Sequence, residues 1–313
     1  MKNNIQKGIL FAFIASVISG IAIFYSKISV TKIDPLILTT SRNMVAAGLL
    51  VIGYLPAIGF AGRRWQAGWL LGKRKELKKI KKHDFIKLLF IGIFGGGIPF
   101  FLFFTGLKMV DSAIIANLIH KTLFIWVGLL ALVFLREKLN WKYWLSFLLV
   151  IFANFYFAKF SFHLGQGEIM ILAATLLWSM ENIIAKKVLK NISSELAALS
   201  RMVIGSSFLL LSVLFTRKLN VLLTINNQQL TIILVGGTIL SFYVFFWYKA
   251  LKFAPVSLVT LVLTFSVVVG NILNGSFAGV KILPNDIISS TIILAATIFI
   301  IFSLKPLKKS ING

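Results

Sequence analysis

Cysteine is absent from this 313-residue sequence, which excludes a disulfide framework, a thiol nucleophile and a thiolate metal site. Acidic residues are scarce: nine Asp and Glu stand against 33 Lys and Arg, for a net charge of +24. The nine are Asp34, Glu76, Asp84, Asp111, Glu137, Glu168, Glu181, Glu195 and Asp286, and no clustered pair among them could hold a metal diphosphate. Histidine occurs only at positions 83, 120 and 163, so there is no HExxH pair, and no GxxxxGK(S/T) phosphate loop is present. These absences argue against an ATP-driven pump and a metal-dependent membrane enzyme, and the expectation is no enzyme, no cofactor and no metal. The longest polar stretch, 63–84, is too short for a core of its own.

Apolar sequence is what the chain has in abundance: 58% of its residues are hydrophobic, 13% are charged and 29 are Phe. That balance predicts an all-α polytopic membrane protein. About 20 residues of helix span the hydrocarbon core, and ten runs approach that length: 8–26, 35–60, 86–107, 112–135, 142–159, 167–185, 195–215, 229–248, 254–276 and 285–304. Lys and Arg in alternate connections divide 22 to 7, with the larger share on the side of both termini. The positive-inside rule then puts both termini in the cytoplasm and the protein in the inner membrane, with an uncleaved first span. The densest basic run, Lys73, Arg74, Lys75, Lys78, Lys79, Lys81 and Lys82 in the cytoplasmic loop 61–84, reads as a topology anchor on anionic headgroups. Nucleic acid is not an expected partner; a homodimer is compatible with the sequence.

The chain resembles itself. A shift of 159 residues lays Phe24–Met44 on Ile183–Val203, pairing Lys27 with Lys186 and Ser41-Arg42 with Ser200-Arg201. A shift of 144 pairs Leu107-Lys108 with Leu251-Lys252, and the difference of 15 matches the extra length of the first-half basic loop. The expected plan is two five-helix repeats, 1–164 and 165–313. An odd number of crossings inverts one repeat relative to the other, as in secondary transporters that bind substrate between their halves near the midplane.

Ionisable residues inside these runs are candidates for function. Asn117, His120, Lys121, Phe124 and Gly128 share one face of the fourth helix. A central lysine disfavours insertion by roughly 2.5 to 3.5 kcal/mol, so this face is expected to line protein or a solute path. Glu181 is the opposing acid, and two readings stand side by side: Lys121 binds an anionic solute while His120 or Glu181 carries a coupling proton, or Lys121 and Glu181 pair structurally. Arg42 and Arg201 are symmetric intramembrane arginines that could also snorkel. Thr260, Thr264, Val267, Asn271 and Asn274 make a polar stripe on the ninth helix, which interhelical hydrogen bonding also explains. Trp178 is a candidate for the cavity wall, although an aromatic in so apolar a helix more often packs. Gly95, Gly96, Gly97 and Pro99 could bend the third helix.

In this order and spacing, several short segments resemble the EamA type of the drug/metabolite transporter superfamily. They are Asp34-Pro35 followed by Arg42 and Ala46, Gly106-Leu107-Lys108 leading into Ser112-Ala113, Phe134 to Leu139, Leu177-Trp178, and Ala250-Leu251-Lys252 leading into Pro255-Val256-Ser257. The resemblance covers nearly the whole chain and implies movement of small metabolites, often export of amino acids or related compounds. Three positions depart from the family pattern: Leu123-Phe124 where Glu-Pro is frequent, Lys281 where the second repeat would carry the equivalent of Glu137, and Glu181 where an aromatic is common. The resulting expectation is a secondary transporter, exporter or exchanger, of small polar metabolites such as amino acids or organic anions. Its cavity would lie among helices 1, 3, 4, 6, 8 and 9, with Lys121, His120, Asn117, Trp178, Thr264 and Asn271 contacting substrate and Glu181 coupling or pairing. The alternative is a translocase of lipids or lipid-linked sugars on the same fold.

Overall fold

The computed structural model describes residues 2–54, 80–111, 113–154 and 165–303, and every regular element in them is helical. In chain order these are α1 (Lys2–Val30), α2 (Pro35–Tyr54), α3 (Lys82–Met109), α4 (Ala113–Leu135), α5 (Trp141–Phe152), α6 (Gln166–Val188), α7 (Ser194–Phe215), α8 (Asn227–Phe253), α9 (Val256–Phe277) and α10 (Pro284–Ser303). Among the described residues, nine are long and apolar enough to cross a membrane, α5 at 12 residues being the exception. Residues 155–159 of the expected fifth crossing lie outside the described residues, as do 55–60 of the second, the part of the basic loop up to residue 79, and the C-terminal lysines. The chain is a multi-pass membrane protein, all-helical among the described residues.

Helices overrun the apolar runs because backbone polar groups in hydrocarbon must stay paired until a cap takes over. Asp34 Oδ1 accepts from the amides of Leu36 (3.0 Å) and Ile37 (3.3 Å) and starts α2. Ser193 accepts from the Leu196 amide at the start of α7, and Asn226 and Gln229 form a reciprocal capping box on α8. The N-terminus of α9 is capped from a distance: the Glu137 carboxylate, just past α4, accepts from the Val256 amide (2.8 Å), the Ser257 amide (3.2 Å) and the Ser257 hydroxyl (2.5 Å). At the opposite helix ends lysines serve. Lys27 donates to the carbonyls of Leu107 and Val110, Lys186 to those of Leu251 and Ala254, and Lys252 to those of Leu189 and Ile192.

The first five helices interleave with the last five. α1 packs on α8 and α9, α2 on α7 and α8, α3 on α6 and α7, and α4 on α6 and α9, while α5 and α10 pair to one side. Gly96 and Gly205 let the backbones of α3 and α7 touch: a Cβ on Gly205 would lie 2.7 Å from Gly96 Cα. Large apolar side chains such as Val133, Leu148, Phe215 and Ile272 point outward, as lipid-facing residues do. Ties between distant segments gather at the two ends. At one end Lys218 meets Asp34 at 2.8 Å and Gln229 donates to the Lys32 carbonyl. At the other, Asn191 donates to Asp84 and Lys249 lies 3.5 Å from Glu195.

Two caps generate predictions. Glu137→Gln weakens charge-assisted bonds at the α9 N-terminus and is expected to lower stability by about 1–2 kcal/mol, read as a lower melting temperature of the detergent-solubilised protein. Burial alone would raise the Asp34 pKa, but the Lys218 hydrogen bond and charge with the Ile37 and Leu36 amides outweigh it and hold the carboxyl below its ordinary value. Its contribution is therefore full above the unfolded carboxyl's pKa of about 3.9 and is lost as pH falls through the depressed folded value. The melting-temperature gap between wild type and Asp34→Asn should stay constant from about pH 7 to pH 5 and close in more acidic buffer.

Candidate functional site

Helix α3 is where the sequence forces a local exception. Residues Gly92–Gly97 form a π-helical turn, Gly97 leaves helical geometry at φ −108° and ψ −91°, and α-helix resumes at Ile98 with Pro99 in its first turn. In an unbroken α-helix the Gly95 carbonyl would accept from residue 99, but proline has no N–H. That carbonyl instead accepts from Trp178 Nε1 at 2.8 Å and Arg201 Nη2 at 2.9 Å, and the Gly96 carbonyl accepts from Asn43 Nδ2 at 2.7 Å. The expected bend of α3 is thus a break whose freed carbonyls hold side chains of α6, α7 and α2.

Around this break lies a cavity with a water-accessible volume of about 60 Å³, lined from α1, α2, α3, α4, α6, α7 and α8. That is room for about two waters at their share of liquid volume. Rings dominate its wall: Phe100, Phe103, Phe104, Trp178, Tyr243 and Trp247. Charge enters at three buried points. Arg42 donates to Ser26 Oγ at 2.8 Å, its guanidinium carbon lies 4.7 Å from the Phe104 ring centre, and its stem rests on Gly236. Arg201 lies 5.5 Å from the Phe100 ring centre and 5.9 Å from that of Tyr248. Glu181 accepts from the Tyr248 hydroxyl at 2.5 Å.

None of the three completes its hydrogen bonding within the protein. Arg42 Nε, Arg201 Nε and Nη1, Glu181 Oε2 and His120 Nδ1 are buried without a hydrogen-bond partner among the described residues. No ion pair joins Glu181 to either arginine among the described residues. Buried polar atoms in folded proteins are nearly always satisfied, and these unpaired ones all belong to residues that line this cavity.

The expected site residues separate. His120, Trp178, Glu181, Arg42 and Arg201 all line the cavity. Lys121 is buried beside it and donates to Ser19 Oγ at 3.1 Å, so it forms no pair with Glu181. Asn117 ties α4 to the Ser266 carbonyl, Thr264 bonds back to the Leu261 carbonyl at a tight turn within α9, and Asn271 donates to Ser290 on α10. Helix α9 contributes nothing to the wall, whereas α2 and α7, absent from the expected set, contribute its arginines. The buried α4 face is divided because its residues meet different neighbours: His120 packs edge-on to Trp178 at 4.9 Å and Phe124 on Phe147 of α5 at 5.1 Å. Sequence reasoning missed Asn182, whose Oδ1 accepts from Trp247 Nε1 at 3.0 Å. Its place beside Glu181, four residues after Trp178, was the available signal. Tyr243 and Trp247 carry none, since aromatics abound in these helices.

Tyr248→Phe removes the one hydrogen-bond partner of Glu181 and is expected to lower stability by about 1–3 kcal/mol. In a Glu181→Leu background the same change should have a much smaller effect, a coupling that melting of the four proteins measures.

The chain matches the sequence profile of the EamA-like transporter family over residues 6–158 and 165–302. No curated protein matches it. A solved structure described as a crystal structure of a protein superposes with a TM-score of 0.69 at 14% identity, covering 95% of this chain and 98% of its own, so the two share a fold. With matches spanning both halves, the chain belongs to the EamA-like transporter family and is a multi-pass membrane transporter of the drug/metabolite kind.

Proposed function

We propose that the protein is a secondary transporter, exporter or exchanger, of small polar metabolites such as amino acids or organic anions, working by alternating access around the central cavity. The observation that carries this reading is that Arg42, Arg201 and Glu181, each with a buried polar atom left unpaired, line one cavity within the helix bundle. Two guanidiniums and one carboxylate favour an anionic or zwitterionic solute. His120 and Trp178 serve as the wall against which it rests. Lys121 acts behind that wall by holding Ser19, which itself lines the cavity.

Alternating access draws support from paired contacts at the two repeat offsets. Lys27 with Leu107 and Val110 becomes Lys186 with Leu251 and Ala254 under shifts of 159 and 144, at opposite ends of the bundle. Arg42 rests on Gly236, while Arg201 rests on the break in α3 that begins at Gly92, the residue 144 before Gly236. In this reading ten crossings form two inverted repeats in the inner membrane, both termini are cytoplasmic, and the basic loop lies on anionic headgroups. Glu181 is free to exchange partners and is the candidate coupling group. A lipid or lipid-linked-sugar translocase is the second reading. It is favoured by an open groove between α9 and α10 with Asn271, Ser290 and Thr291 among apolar residues, but the groove shares no lining residue with the central cavity.

Solute counterflow in liposomes containing the purified protein alone tests the proposal. Arg42→Gln and Arg201→Gln should each cut the rate at least about tenfold, with Lys121→Met reducing it less. Wild-type rates in both arginine variants would remove the cavity from the transport path, and activity restricted to lipid-linked compounds would favour the translocase.

A further inference from the structure

The two ends of the cavity differ in charge. Arg42 and Arg201 sit over Phe104 and Phe100, whose ring centres are 6.4 Å apart and whose positions are one helical turn apart on α3. At the Arg42 end the polar company is the hydroxyls of Ser26 and Tyr25, and among the described residues that line the cavity no acid lies on that side. At the Arg201 end a Cβ on Gly95 would meet Glu181 Cγ at 2.6 Å and Arg201 Nε at 3.2 Å, so carboxylate and guanidinium close on one glycine from two sides. Glu181 is the single acid lining the cavity among the described residues.

Resting on the transporter reading, we propose that the substrate class is an amino acid with an acidic side chain, a molecule with two carboxylates and one ammonium. Its α-carboxylate meets the free N–H groups of Arg201 and its α-ammonium meets Glu181 Oε2. Tyr248 holds the other oxygen of Glu181 and so turns Oε2 toward the solute. The second carboxylate, one helical turn away, meets Arg42 Nε beside Ser26. Each charged group of such a molecule finds an opposite partner, and the site's formal charge of two guanidiniums and one carboxylate is neutralised. A neutral amino acid would leave the Arg42 guanidinium unpaired; a plain diacid would leave Glu181 unpaired. Unpaired charge in a buried site is strongly disfavoured, so the discrimination is built into the protein by what each wrong solute fails to satisfy.

The experiment compares six probes on the purified full-length protein in detergent: aspartate, glutamate, asparagine, glutamine, succinate and glutarate. Binding is read from the rise in melting temperature with concentration, since a ligand stabilises the folded state by RT ln(1 + [L]/Kd). Aspartate or glutamate should bind at least about tenfold more tightly than its own amide and than the diacid of matching length. Arg42→Gln should abolish the preference for acid over amide, and Glu181→Gln the preference for amino acid over diacid. Should either variant fail to fold, the six wild-type affinities still decide the matter. Amides or plain diacids binding as tightly as the acidic amino acids would overturn the substrate assignment and leave the transporter reading standing. So would silence of all six probes together with counterflow of another small solute. Response to lipid-linked compounds alone would overturn both.

Discussion

A carbonyl group that loses its α-helical donor gains from a donor elsewhere, since in hydrocarbon there is no water to supply one. In this protein the Gly95 carbonyl is in that position, because its α-helical donor would be the missing N–H of Pro99. Its donors come from the second half of the chain, Trp178 on α6 and Arg201 on α7, while the neighbouring Gly96 carbonyl draws Asn43 from α2. One backbone defect thereby gathers three helices. The absence of side chains on Gly95 and Gly96 lets Glu181 and the α7 backbone come in against them. The cavity is the space that remains when these elements meet around a broken turn.

Holding arginine in such a place requires compensation, and the rings provide part of it. Arg42 lies over Phe104 and Arg201 over Phe100, each with one hydrogen bond that fixes its direction. Glu181 and Arg201 both come in against Gly95 without a salt bridge among the described residues, and each keeps a buried polar atom unpaired. Lys121 has a different part. It is more deeply enclosed than its neighbour His120 and spends its hydrogen bond on Ser19 of α1, a wall residue.

Away from the centre, the ends of the bundle are fastened by charge and by caps. Lys218 on Asp34 and Asn191 on Asp84 each join segments from different halves of the chain at opposite ends, and Glu137 caps a helix of the other half. These ties lie at helix termini, where the end amides and carbonyls have no partner within their own helix. In the interior the helices meet by close packing, with backbone contact between Gly96 and Gly205 and α1 laid along α8.

Hydrophobic runs, a deficit of acids and helix-end chemistry are local properties. From them the approximate bounds of nine of the ten expected crossings follow, as does the membrane setting, while the family was legible from the resemblance of short segments such as Asp34-Pro35 and Gly106-Leu107-Lys108. Arg42, Arg201, Glu181, His120 and Trp178 were also legible as candidates, because a polar or aromatic residue stands out in an apolar helix only when hydropathy gives it contrast. Position on a helix does not say which neighbour a face meets. Asn117, Lys121, Thr264 and Asn271 share the spacing of a solute-lining stripe, yet they bond to Ser266, Ser19, Leu261 and Ser290, since α4 and α9 each turn within the bundle and present successive residues to different helices. The assignment of Arg42 and Arg201 to one cavity, the separation of Glu181 from Lys121, and the Gly95 carbonyl that holds Trp178 and Arg201 depend on contacts between residues far apart in sequence, 83 and 106 positions for the last two, and only the packed bundle brings those together.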